Sequence, residues 1–115
     1  MLPRHHRLTR PADFKRTIRA GAKASSRCVV VYGLMPGSPQ PESGPRVGVT
    51  VSKAVGGAVV RHRVARQIRH AASALLEHLP AGSSWVIRAL PPAAVSTDVA
   101  ADVRACVERI LGGVR

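Results

Sequence analysis

Acidic residues are scarce in this sequence: six Asp and Glu stand against eighteen Lys and Arg, which leaves a formal net charge of +12. Such an excess of one sign makes copies of the chain repel one another and lowers folding stability, so it suits a protein with a polyanionic partner. Most of the cations are arginines, which make bidentate contacts with phosphate. Nucleic acid is therefore the leading predicted partner, and an anionic membrane surface is a distant second.

Aromatic residues are also rare, at 3% of the chain, so the core must be built from Val, Leu, Ile and Ala. No apolar stretch approaches the ~20 residues needed to cross a bilayer, and the basic N-terminus lacks the apolar segment of a signal peptide. We therefore expect a cytoplasmic protein with no membrane partner. With 45% hydrophobic residues the chain is too apolar for a disordered basic tail, and residues 1–115 suit a single domain.

Few residues could carry protein-based catalysis. Cys28 falls in a β-type run and Cys106 on the apolar side of a helical pattern, which favours two buried free thiols. The six acids occupy helix positions and a proline loop, so no carboxylate pair is available for acid–base chemistry. The pair His5-His6 has no acid or cysteine at ligand spacing. We predict no catalytic residue, no metal site and no cofactor intrinsic to the protein.

The hydrophobic pattern predicts the element order α-β-β-α-β-α. We expect helices over 11–20, 58–79 and from 97–98 to the glycines at 112–113, with strands over 27–35, 46–52 and 84–90. Residues 1–10 form a basic arm with Leu8 as its anchor, and residues 36–45, with four prolines and two glycines, form a loop. Strand, long helix and strand make a crossover unit, which predicts a parallel pair within a small mixed sheet. The predicted fold class is an α+β two-layer sandwich with helices on one face of the sheet and the other face available.

The long helix is two-faced. Its apolar stripe consists of Val60, Val64, Ile68, Ala71, Leu75 and Leu79. Its opposite side carries His62, Arg63, Arg66, Arg69 and His70. A run of charge is commonly only a solvated surface, but no acid occurs between Glu42 and Glu77 and Lys53 lies just upstream. This pattern favours contact with nucleic acid. The glycines at 56–57 suit a strand-to-helix turn or a backbone contact with phosphate about equally well.

Residues 46–69 resemble the signature of the bacterial ribonuclease P protein subunit. That signature is an R-x-G-(I/V)-x-(V/I)-S-K-K stretch followed by G-N-A-V-x-R-N-R, and this chain has RVGVTVSKA followed by GGAVVRHR. Leu8, Phe14, Tyr32 and the strand residues at 85–87 match family positions outside the signature. The chain departs from the family pattern at Ile18, Ala54, Gly57, His62, Ala65 and Gln67.

The resemblance implies a protein subunit that assists removal of the 5′ leader from precursor tRNA. The large catalytic RNA would supply the reactive groups and hold Mg²⁺, and no protein partner would be required. The residues implied to contact the catalytic RNA are Lys53, Arg61, His62, Arg63, Arg66 and Arg69. The residues implied to form a cleft for the single-stranded leader are Phe14, Lys15 and Tyr32. The resemblance also implies a left-handed βαβ crossover, against the usual hand.

An alternative function is kept beside this one. A ribosomal-protein-like RNA binder with no role in cleavage would share the basic α/β build, although it gives no reason for the SKxxGxAVxRxR run. A membrane-active cationic protein fits poorly because the sequence shows no amphipathic helix with an exposed Trp and Leu face.

Overall fold

The computed structural model describes residues 2–37 and 44–114. Within them, four strands form one sheet: β1 (Ala22–Ser25), β2 (Val29–Leu34), β3 (Arg46–Thr50) and β4 (Ser84–Ala89). Three α-helices accompany the sheet: α1 (Pro11–Ala20), α2 (Ala58–Leu75) and α3 (Val99–Val114). Short 3₁₀ helices occur at Arg4–His6, Leu76–His78 and Pro91–Ala94. None of the helices described is long and apolar enough to cross a membrane.

The strand order across the sheet is β1-β2-β4-β3. β4 pairs antiparallel with β2 and parallel with β3, which confirms the mixed sheet and the parallel pair expected from the strand–helix–strand unit. The predicted loop over 36–45 thus joins two strands that β4 separates, and its residues 38–43 lie outside the described residues. The hand of the crossover stays a prediction.

One face of the sheet carries the main core. Strand positions facing this layer alternate as expected for β structure, with Val29, Val31 and Ile87 all buried. The helices α2 and α3 cover this face and also pack on each other. The buried helix residues are Val64, Ile68, Ala72, Leu75, Val99, Val103, Cys106, Val107 and Ile110. Each large aliphatic side chain buried here stabilises the fold by roughly 1.5–3 kcal/mol.

The opposite face of the sheet is covered in part by α1. The ring of Phe14 lies so close to Gly48 that a Cβ on that glycine would come 2.3 Å from the ring. Thr17 is fully buried in the same helix, and its hydroxyl donates to the Asp13 carbonyl at 2.8 Å. The predicted fold class is confirmed, but the placement of every helix on one face needs correcting. α1 covers part of the second face, and it can approach the strands there because Gly48 has no side chain.

The main differences from the sequence prediction are one additional strand and the ends of two helices. β1 was not predicted, because Ala, Lys and Ser have low strand propensity, and it exists through its pairing with β2. α2 ends at Leu75 and tightens into a 3₁₀ turn, where the Leu79 amide donates to the Leu76 carbonyl just before Pro80. α3 begins at Val99 and continues through Gly112 and Gly113. In the turn before it, the Asp98 amide donates to Ser96 Oγ at 3.0 Å. Glycine disfavours a helix by only ~1 kcal/mol per residue.

The N-terminal segment is fixed to the fold more firmly than a solvated basic arm. Leu2 joins the main core at 1% exposure, and Leu8 is also buried. The Leu8 amide donates to the Val47 carbonyl at 2.9 Å, so the segment runs along the outer edge of β3. The Nδ1–H of His6 donates to the Pro45 carbonyl at 2.7 Å. The segment therefore protects an edge strand, which would otherwise expose unpaired backbone groups.

Both cysteines are buried and unpaired, as predicted. The Cys28 amide donates to Asp102 Oδ2 at 3.2 Å, which ties the start of β2 to α3. Burial raises the pKa of the Cys28 thiol, and the neighbouring Asp102 adds to the increase.

Candidate nucleic-acid interface

The outer surface of α2 carries the largest concentration of predicted contact residues. Val64, Ile68 and Leu75 turn into the core, which leaves the intervening cations in solvent. The exposed predicted residues are Lys53, His62, Arg63, Arg66 and Arg69. We call the exposed surface formed by His62, Arg63, Arg66, Arg69 and His70 the basic face of α2. The sequence prediction of a helix with one buried side and one exposed basic side is confirmed by these positions.

The turn before α2 sets where this surface begins. Val55 is buried and its amide donates to the Ser52 carbonyl at 3.1 Å, which leaves Lys53 exposed between them. Gly57 is the N-cap of α2, and its carbonyl accepts from the Arg61 amide at 2.9 Å. The glycine turn thus serves the change from strand to helix. A phosphate contact there stays a prediction.

Two arginines of the predicted set are held differently from the rest. Arg61 is only half exposed, and its buried Nε has no hydrogen-bond partner among the described residues. Arg63 is exposed, but its Nη2 donates to the Ala94 carbonyl in the 3₁₀ turn before α3. One donor of the Arg63 guanidinium is thus directed toward the turn before α3.

No acid neutralises the basic face of α2 within the described part of the chain. The side-chain ion pairs found there are Arg16 with Asp13 at 3.7 Å and His78 with Glu77 at 3.9 Å. Both pairs lie away from Arg66 and Arg69. Since neither arginine has an acidic partner in residues 2–37 and 44–114, their charge is available to an external anion.

The second face of the sheet brings together another group of predicted residues. Cross-strand pairing aligns Tyr32 with Val86, and Val86 with Gly48, in one row on the side covered by α1. Phe14 closes the Gly48 end of this row, and both Phe14 and Tyr32 are half exposed. Directly opposite residues share a face of the sheet. The two aromatic side chains therefore lie on the same side of the sheet as α1, on either side of the buried Val86.

Comparison with known proteins gives a consistent result. The family model described as "Ribonuclease P" matches residues 2–112. A ribonuclease P protein component of Corynebacterium diphtheriae is 44% identical, covering 96% of this chain and 97% of its own. One from Mycolicibacterium vanbaalenii is 48% identical, with 96% and 93% covered. The chain belongs to the ribonuclease P protein family.

The fold of the family is seen in solved structures as well. The ribonuclease P protein of Staphylococcus aureus superposes with a TM-score of 0.72 at 28% identity, covering 96% of this chain and 95% of that one. The four-stranded mixed sheet with its three helices is thus the arrangement of the ribonuclease P protein family. The resemblance inferred from residues 46–69 is confirmed.

Lys15 is placed apart from the other two residues implied for the ribonuclease P leader cleft. It is exposed and shares a shallow hollow on the outer side of α1 with Ala12 and Arg19. Phe14 and Thr17, by contrast, face the sheet. The structure therefore places Phe14 and Tyr32 on the same side of the sheet, whereas Lys15 lies on the outer side of α1.

The strands supply basic side chains that the sequence prediction missed. Lys23 pairs with Tyr32 and Arg88 pairs with Val30 across the strands. Both cations are exposed on the side of the sheet on which α1 lies. Arg46 occupies the same side of β3 as Gly48. The alternation of each strand, combined with the position of Tyr32, is the signal that could have found them. These three cations give the α1 side of the sheet a positive charge.

The described residues contain no cluster of three or more His, Cys, Asp or Glu that could hold a metal ion. The ring centroids of His5 and His6 are 4.2 Å apart, but His6 is occupied by its bond to Pro45. No nucleophile–base pair or carboxylate pair appears among the hydrogen bonds of the part of the chain described. The guanidinium groups and aromatic rings of these surfaces suit recognition of anions and stacking on bases.

Proposed function

We propose that this chain is the protein subunit of ribonuclease P and assists removal of the 5′ leader from precursor tRNA. The observation that carries the proposal is the basic face of α2, an acid-free row of exposed arginines on a helix within the family signature. Membership of the ribonuclease P protein family and similarity to ribonuclease P protein components support the same role.

The basic face of α2, with Lys53, would bind the catalytic RNA. Arg66 and Arg69 are exposed and without acidic partners among the described residues, so they suit phosphate contacts and release of counterions. Arg63 is exposed beside them, and its guanidinium has further donors besides the one that meets the Ala94 carbonyl. Arg61 and His62 would complete this contact at the start of the helix.

The cleft between α1 and the sheet would hold the single-stranded leader. Phe14 and Tyr32 offer two aromatic surfaces for stacking, and stacking tolerates any base sequence. Arg88 and Lys23 provide positive charge for the leader backbone. Lys15, on the outer side of α1, would contribute charge near the cleft and not a contact inside it.

Cleavage itself would depend on the catalytic RNA, which would hold Mg²⁺. The protein offers groups that bind and orient RNA: guanidinium groups for phosphate and aromatic rings for bases. No catalytic residue is assigned to the protein. It would act in the cytoplasm and need no other protein partner.

A basic RNA-binding protein without a role in cleavage is the second candidate. It would explain the basic face of α2 equally well. A protein that only binds RNA through α2 would need no second RNA surface. That candidate therefore gives no role to Phe14 and Tyr32 on the opposite side of the sheet.

Reconstitution distinguishes the two candidates. The purified protein is added to a bacterial ribonuclease P RNA at low Mg²⁺, and release of the leader from precursor tRNA is measured. We expect the protein to increase the rate well above that of the RNA alone. The double variant Arg66→Ala, Arg69→Ala should lose most of this increase. Its control, Arg16→Ala, Arg19→Ala, removes the same charge from the outer side of α1. Absence of any increase with the unaltered protein would reject the proposed role.

A further inference from the structure

A groove between α2 and the beginning of α3 is not explained by phosphate contacts alone. Its volume is about 580 Å³, within the ~300–1,000 Å³ typical of small-ligand sites. Its lining falls into two classes of side chain. The apolar floor consists of Ala71, Ala74, Leu75, Val99 and Ala100. The polar border includes Arg63, Arg66, His70 and Arg104.

The floor is open because the two helices place alanines opposite each other. Leu75 and Val99 are buried at its base, while Ala74 and Ala100 are exposed at its sides. Larger side chains at these alanines would fill the space between the helices. A concave apolar surface with polar groups at its border is the usual form of a small-ligand site, and this one is large enough to take a nucleobase.

The border of the groove is positively charged. Arg63 is held at one side by its hydrogen bond to the Ala94 carbonyl, and Arg104 projects from α3 at the other. No acid lines the groove, and none of its arginines forms an ion pair within the described residues. The border therefore favours an anion, and the apolar floor favours a ring attached to that anion.

We propose that this groove binds one unstacked nucleotide of an RNA partner. The base lies on the alanine floor, and the 5′ or 3′ phosphate meets the guanidinium groups of Arg66 and Arg104. This inference rests on the proposed RNA-binding function and adds a site at which the protein captures a base as well as the backbone. The groove continues from the basic face of α2, so an RNA strand bound to that face passes its mouth.

The test uses the whole protein and two simple probes, adenosine 5′-monophosphate and ribose 5-phosphate, which carries the phosphate without the base. Binding is followed by NMR through the backbone amides of Ala71 and Ala100. We expect the nucleotide to bind at least about fivefold more tightly than the sugar phosphate, since only the nucleotide can bury a base against the apolar floor. Equal affinity for the two probes would overturn the inference, because it would mean that charge alone is recognised.

Two substitutions with matched controls examine the floor and the border separately. Ala100→Leu fills the floor and should weaken nucleotide binding about tenfold. Ala105→Leu makes the same change at an exposed position of α3 outside the groove and should have no effect. Arg104→Gln should weaken both probes, whereas Arg19→Gln on α1 should weaken neither. Unchanged nucleotide binding by Ala100→Leu, with its fold intact by circular dichroism, would reject the groove as the site.

The outcome is independent of the reconstitution result. A protein that stimulates leader removal but binds both probes equally keeps the proposed function and loses the groove. A protein that binds the nucleotide selectively but gives no stimulation keeps the groove and loses the ribonuclease P role.

Discussion

The helices cover the two faces of the sheet to different extents. The face covered by α2 and α3 is sealed, and Val29, Val31 and Ile87 have almost no exposure. The face covered by α1 is only half closed, with Phe14 and Tyr32 partly accessible and Arg88 in solvent. A sealed face contributes most to stability, whereas a half-closed face leaves side chains free to meet a ligand. The predictions below test this division.

The largest expected effect is on the sealed face. Ile68 has no exposure and packs between α2 and the sheet, so Ile68→Ala should lower the free energy of unfolding by about 3 kcal/mol. Denaturant unfolding followed by the fluorescence of Trp85, the only tryptophan and itself buried, measures the loss. Val59→Ala, on the same helix but 82% exposed, is the control and should change stability by less than ~0.5 kcal/mol. Similar losses for both variants would contradict the division.

On the half-closed face, Phe14→Ala should act on binding more than on stability. Loss of one stacking surface is expected to weaken binding of precursor tRNA to the assembled complex by about tenfold. Mature tRNA, which has no leader, should bind with nearly unchanged affinity. Filter binding with both RNAs measures the difference. Equal losses for the two RNAs would remove Phe14 from the leader cleft.

The outside of the sealed layer should respond to salt. Arg66→Ala removes one exposed cation from the basic face of α2, so the plot of log K against log salt for the catalytic RNA should become shallower by about one unit. Arg19→Ala, at the opposite side of the molecule, serves as the control. A slope that does not change on loss of Arg66 would mean that its side chain meets no phosphate.

The smallest effect concerns pH at the edge of the sealed face. Burial, assisted by Asp102, raises the pKa of the Cys28 thiol in the folded protein above that in the unfolded chain. Folding therefore favours the neutral thiol. Its contribution to the free energy of unfolding is complete below the pKa of the thiol in the unfolded chain, and it is lost as pH rises through the pKa in the folded protein. Above about pH 8.5, where a thiol in the unfolded chain ionises, the unaltered protein should lose stability more steeply than Cys28→Ala. Parallel pH profiles would show that the thiol does not contribute.

Sequence patterns were most informative where one element has two contrasting sides. The stripe through Val64 and Ile68 predicted both the buried and the basic sides of α2, because a helical period of 3.6 assigns every residue to a side. The parallel pairing of β3 and β4 followed from the helix between them. The same reasoning predicted the exposed positions of Arg66 and Arg69.

Features that depend on tertiary contacts were beyond the sequence. β1 has weak strand propensity and exists because β2 offers it a partner. Leu2 gives no periodic signal, yet it enters the core once the N-terminal segment pairs with Val47. The position of α1 on the second face depends on the absence of a side chain at Gly48, which lets Phe14 lie against the strand. Pairing and close approach are properties of two segments, so neither segment shows them alone.

The central position of β4 also governs the order in which the chain can fold. β2 and β3 are made first, but neither has its inner neighbour until residues 84–89 arrive. Until then the apolar side of α2 has no complete sheet to cover, although the arginines on its other side are already present. During synthesis the chain therefore passes through a stage at which it carries its full α2 charge without a finished core. Its interior can be completed only after β4 has entered between β2 and β3 and α3 has packed on the sheet.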